Sequence, residues 1–149
     1  MYPVLLGLHN LVRWVVIIVG LWAVVRAWRG WLKRSVWNAA DVRATRLFVS
    51  ALDLQLLLGI LLYAIFSPLT RRAFHDVGAA MRDAPVRYFF VEHVAVMVIA
   101  IAIAHVGAAR VKRETADVAK FQTAALWLGI ALAAILGFVP WARPLIPVF

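Results

Sequence analysis

The chain of 149 residues contains no cysteine. Disulfides, iron–sulfur clusters, thiolate metal sites and covalently attached c-type haem are therefore excluded, because each needs sulfur. Charge is also scarce: Asp, Glu, Lys and Arg make up 15% of residues, where a soluble domain carries about a quarter. Acidic residues are the scarcest, seven against sixteen Lys and Arg, which leaves a net charge of +9. No Walker loop, dinucleotide fingerprint, Gly-x-Ser-x-Gly or His-Glu-x-x-His is present, so no soluble-enzyme motif remains. What the chain does have is apolar residues, 65% of the total, with a mean hydropathy of +0.89. This length and composition predict a single domain whose solvent is lipid. The basic excess sits in gaps between long apolar runs, the pattern of juxtamembrane loops rather than of a nucleic-acid-binding surface.

A bilayer-spanning helix takes roughly 20 mostly apolar residues. Four stretches qualify, over approximately 3–25, 47–69, 88–109 and 121–141. The runs are continuous rather than alternating, so helices are expected and not a β-barrel. The predicted fold is all-α, an integral membrane four-helix bundle. The first stretch lacks a basic leader and runs too long for a cleaved signal peptide, so it reads as a true span.

Orientation follows from Lys and Arg in the short loops. The first and third loops together hold ten, from Arg26 to Arg46 and from Arg110 to Lys120, against five on the other side, including Arg143. The more basic side is expected to be cytoplasmic, which puts both termini on the outer, periplasmic side of a bacterial inner membrane. Trp28, Trp31 and Trp37 in the first loop suit the headgroup level. Phe74, Val77 and Met81 recur at helical spacing between Pro68 and Pro85, predicting a short interfacial helix over 73–82. Gly129, Ala133 and Gly137 form a small-residue stripe on the fourth span, the expected contact face for other membrane subunits. Pro140–Trp141 closes that span.

Ionisable groups inside spans are expensive, about 2.5–3.5 kcal/mol for Arg or Asp at a helix centre, so Arg13, Asp53 and Glu92 are expected to face the interior. His9 lies six residues after Pro3 and His93 six after Arg87. At 1.5 Å per residue each is about 9 Å from the start of its span. Both spans start on the same side, so the two imidazoles sit at matched depth. Two such histidines on facing helices are what bis-imidazole haem b requires. Membrane histidines also serve as hydrogen-bonded packing groups, and that reading stands beside the first.

His93, Met97, Ala100 and Ala104 share one helical stripe that narrows inward. Arg87, at the outer edge, is placed to meet a haem propionate, and the deeper Arg13 to reach Glu92. The expected cofactor-binding set is therefore His9, His93, Arg13, Arg87 and Glu92, with His9 and His93 on the metal. Asp53 and His105 lie together on the cytoplasmic half, as an ion pair, a proton-handling site or simple polar packing. His75 falls in the outer loop. Copper held by Met81, Met97 and histidine is a further possibility, though the methionines are scattered.

The sequence also resembles a group of short four-span bacterial membrane proteins often labelled cytochrome b-like. Leu8-His9, Val12-Arg13-Trp14, Gln55-Leu56-Leu57-Leu58-Gly59 and Met81-Arg82-Asp83 carry the likeness, with Arg87-Tyr88-Phe89, Val91-Glu92-His93 and Pro140-Trp141. It covers nearly the whole chain, and Arg-aromatic-Phe-x-Val-Glu-His is its most specific piece. Members of that group often carry histidine where Asp53 stands here. The resemblance implies a small helical integral membrane protein.

Three functions are therefore expected in order. The first is a haem b electron-transfer subunit ligated by His9 and His93, with quinone as a candidate electron partner. The second is a cofactor-free accessory subunit of a larger respiratory or photosynthetic membrane complex. The third is a small transporter or metal-handling protein, for which four short helices leave little room.

Overall fold

A computed structural model describes residues 1–142, so Arg143, counted above, lies outside the described residues. In chain order the helices are α1 (Tyr2–Leu32), α2 (Ala39–Leu61), α3 (Pro68–His75), α4 (Val77–Arg82), α5 (Ala84–Arg87), α6 (His93–Arg113) and α7 (Asp117–Phe138). No strand occurs among the described residues. Helix α2 runs on through a wide π turn, Leu62–Phe66, and α6 is entered through a second, Tyr88–Glu92. With those turns included, four helices are long and apolar enough to cross a membrane: Tyr2–Leu32, Ala39–Phe66, Ala84–Arg113 and Asp117–Phe138.

The ends of these helices follow from local chemistry. The α1–α2 turn closes through Arg34 at φ 49, with the Ser35 N–H donating to the Gly30 carbonyl at 3.0 Å. Asn38 then caps α2: its side chain accepts from the Ala40 N–H at 2.9 Å, and the Asp41 carboxylate accepts from the Asn38 N–H at 3.0 Å. Asp41 is buried, and Arg26 of α1 meets it at 2.8 Å, which ties the two helices together at this end. Helix α7 stops at Phe138 because Val139 precedes Pro140 and is pushed into extended backbone (φ −73, ψ 131). The segment read as one helix over 73–82 crosses two short helices. Asp76 sits between them, its carboxylate capping α4 by accepting from the Ala79 N–H at 2.8 Å.

Small residues set the packing. In lipid no hydrophobic force drives helices together, so close approach matters more. Gly20 of α1 lies against the Phe48 ring, Gly30 against the Phe121 ring, and Gly107 of α6 against Trp127. Phe48, Phe121 and Leu128 are the largest fully buried side chains. Ala100 and Ala104, the small end of the His93 stripe, are fully buried in this helix-packing core. Helix α1 packs along α2 and α7, and α6 along α7, while α2 and α6 form the loosest of the four sides of the bundle. A cleft is left between them.

The stripe on α7 points elsewhere. No described residue lies within 4 Å of a Cβ added at Gly129 or Gly137, so among the described residues this face is not used by the chain's own helices.

Candidate functional site

The cleft contains a cavity of about 460 Å³, within the roughly 300–1,000 Å³ of small-molecule sites. Its wall is mainly apolar and is drawn from α1, α2, α3, α6, α7 and the segment after α7. Both π turns border it, Leu62 and Tyr63 from one and Phe89 from the other. A π turn inserts one residue into the helical register and frees backbone groups, which then need other partners. Thr70 supplies one, donating its hydroxyl to the Tyr63 carbonyl at 2.8 Å, and the Tyr63 hydroxyl in turn donates to the Phe90 carbonyl at 3.0 Å. The second turn sits immediately before His93 and so decides which way that imidazole points.

His93 is held by the end of α7. Its Nδ1 lies 3.1 Å from the Phe138 carbonyl, one of the oxygens that a helix C-terminus leaves without an intrahelical donor. A carbonyl only accepts, so Nδ1 carries the proton and Nε2 the lone pair. The Tyr88 hydroxyl donates to the same oxygen at 2.6 Å. Tyr88 and Phe89 also flank the imidazole, with ring centroids 5.8 and 6.0 Å away.

His9 is held differently. The Gln55 amide nitrogen lies 3.2 Å from His9 Nε2 and 3.1 Å from the His9 backbone carbonyl. The carbonyl fixes that end of the amide as nitrogen, so Gln55 donates to both and His9 Nε2 is the acceptor. The proton is then on Nδ1, which is buried without a hydrogen-bond partner, as is Gln55 Oε1. The ring lies against Gly59, whose added Cβ would sit 3.5 Å from His9 Cε1.

Arg13 follows His9 by one turn on the same face of α1. It is 6% exposed. One Nη donates to the Pro140 carbonyl at 3.4 Å, the Trp14 ring lies 5.6 Å away, and Nε has no partner. His93 and Arg13 thus both reach the segment where α7 stops.

Of the five expected site residues, the structure brings His9, Arg13 and His93 to one cavity. Arg87 and Glu92 are not in its lining. They pair with each other at 2.7 Å, and Arg87 also donates to the Met81 carbonyl at 3.1 Å. The expected contact from Arg13 to Glu92 is replaced by this nearer, half-exposed pair within one helical turn. Asp53 and His105 do form a pair, at 2.7 Å, bridging α2 and α6 with about half of each side chain exposed. Met97 lines the cavity, whereas Met81 lies on α4 outside it. His75 is exposed on α3. No cluster of three or more His, Cys, Asp or Glu occurs among the described residues.

Gln55 is the functional residue that charge counting missed. Its signal was available, since it is a polar side chain inside a span, four residues before Gly59 on the same helical face. Asn10 is the other, buried beside Arg13 and lining the cavity. No family model, curated protein or solved structure matches the chain.

Proposed function

We propose that this chain is a multi-pass membrane subunit that holds haem b through His9 and His93 and passes electrons within the bilayer. One observation carries the reading: two imidazoles from separate spans line the same apolar cavity. The donor set fits the group. His93 has the arrangement typical of metal-binding histidine, with the distal N–H given to a backbone carbonyl and the lone pair on Nε2. His9 also has its lone pair on Nε2, where Gln55 now donates. To hold the group, His9 would give up that hydrogen bond, while the bond from Gln55 to the His9 carbonyl could remain.

Haem b, when bound, supplies a one-electron couple. The protein's part is to orient two imidazoles, exclude water with the apolar wall, and place the Arg13 cation beside the site. A buried positive charge favours the reduced form. The proposed setting is a bacterial inner membrane with the termini outward, and quinone is the proposed electron partner.

The test is to titrate the purified haem-free protein with haem and follow the Soret band. Stoichiometric binding is expected for wild type and for His75→Ala, with loss in His93→Ala and a changed spectrum in His9→Ala. A wild type that develops no Soret band, or a His93→Ala variant that binds as well, overturns the reading.

A second reading, a subunit of a larger membrane complex, is favoured by the open Gly129/Ala133/Gly137 face. Native electrophoresis after mild solubilisation tests it. A large assembly that Gly129→Leu dissociates supports it, and a free monomer or homo-oligomer opposes it.

A further inference from the structure

Every acidic side chain in the chain is engaged away from Arg13. Glu92 pairs with Arg87, Asp41 with Arg26, Asp53 with His105 and Asp117 with Lys120. Asp76 and Asp83 cap α4 and α5 by accepting from the Ala79 and Val86 N–H groups. Glu114 accepts from the Thr123 hydroxyl. These are all seven Asp and Glu of the sequence. Arg13 is nevertheless 6% exposed in a membrane span, with one long hydrogen bond and an unpartnered Nε. A guanidinium so buried needs an anion or further acceptors, because leaving it uncompensated is strongly unfavourable.

The cavity is where that anion fits. Arg13 lines it, together with His9 and His93. A guanidinium carries paired N–H groups that can grip a carboxylate in parallel. We infer that Arg13 binds a carboxylate carried by the cavity's ligand and that, resting on the haem reading above, this group is a haem propionate. Arg87, the residue that position in the sequence suggested, is already neutralised by Glu92 at 2.7 Å and is not part of the wall. The ligand's acidic edge therefore lies toward the end of the bundle where α7 stops, marked by the Pro140 carbonyl at 3.4 Å from Arg13.

The test compares haem b with its propionate dimethyl ester, each titrated into wild type, Arg13→Gln and Arg13→Lys. Wild type is expected to bind the free acid about tenfold or more tightly over the ester, from the loss of one buried charge pair. In Arg13→Gln the two ligands should bind within about twofold of each other, and Arg13→Lys should keep part of the preference. The reduction midpoint of haem-loaded Arg13→Gln should also lie below that of wild type.

Equal binding of acid and ester by wild type overturns the inference, and needs no variant that folds. Full retention of the preference in Arg13→Gln overturns it as well, while leaving the haem reading intact. Absence of binding by either ligand to wild type removes both readings, and the missing Soret band identifies that case.

Discussion

Phe138's carbonyl can only accept, so His93 is fixed with its proton on Nδ1, whereas the Gln55 amide fixes His9 with its acceptor lone pair on Nε2. Gln55 holds two groups of His9 at once. Gln55→Leu leaves the His9 carbonyl and ring nitrogen without that donor, at an expected cost of about 1–3 kcal/mol to the haem-free protein. Thermal unfolding in detergent checks it, and an unchanged midpoint contradicts the role given to Gln55. Arg13 should behave in the opposite way. Replacing an uncompensated buried cation by a side chain of similar length removes a desolvation burden, so Arg13→Met should raise the unfolding midpoint of the haem-free protein while weakening haem binding. Opposite signs in the two measurements mark a residue kept for its ligand rather than for the fold.

Helices in this bundle approach where glycine allows it. A Cβ at Gly30 would run into the Phe121 ring, and one at Gly107 into Trp127 Cβ. Gly30→Ala and Gly107→Ala should each destabilise by about 1–3 kcal/mol through overpacking. Gly129→Ala meets no described residue within 4 Å and should gain up to about 1 kcal/mol from helix propensity alone. Unfolding midpoints of the three variants, measured on the monomer, decide between these signs. The stripe at Gly129, Ala133 and Gly137 was visible in the sequence, but its direction was not. Which side of α7 faces the bundle depends on Gly30 and Gly107 receiving Phe121 and Trp127 of α7. That His9 and His93 reach one cavity agrees with counting residues along regular helices. The π turns at Leu62–Phe66 and Tyr88–Glu92 were not, because they arise from tertiary demands on Tyr63, Thr70 and Phe90. Nor could spacing show that Glu92 would take Arg87 in place of Arg13.

Across the whole molecule, four apolar runs announced four membrane-long helices, since hydropathy over some 20 residues reports directly on the solvent. The cavity follows from their arrangement. Helix α1 is gripped by α2 and α7, α6 by α7, and α2 and α6 pack more loosely. The Asp53–His105 pair bridges these two helices and is half exposed. Replacing both with leucine should preserve stability or improve it, whereas either single replacement should lower it, since the remaining polar partner then loses its hydrogen bond. A thermal double-mutant cycle reads the difference, and additive effects of the two single changes contradict the bridging role.

The central claim is that two imidazoles from separate spans take one iron together. Low-temperature electron paramagnetic resonance of the oxidised, haem-loaded wild-type protein addresses it most directly. A low-spin signal of the bis-imidazole type, turning high-spin in His9→Ala, is the predicted result. A wild-type spectrum that is wholly high-spin, or one unchanged by loss of the His9 ring, contradicts the account.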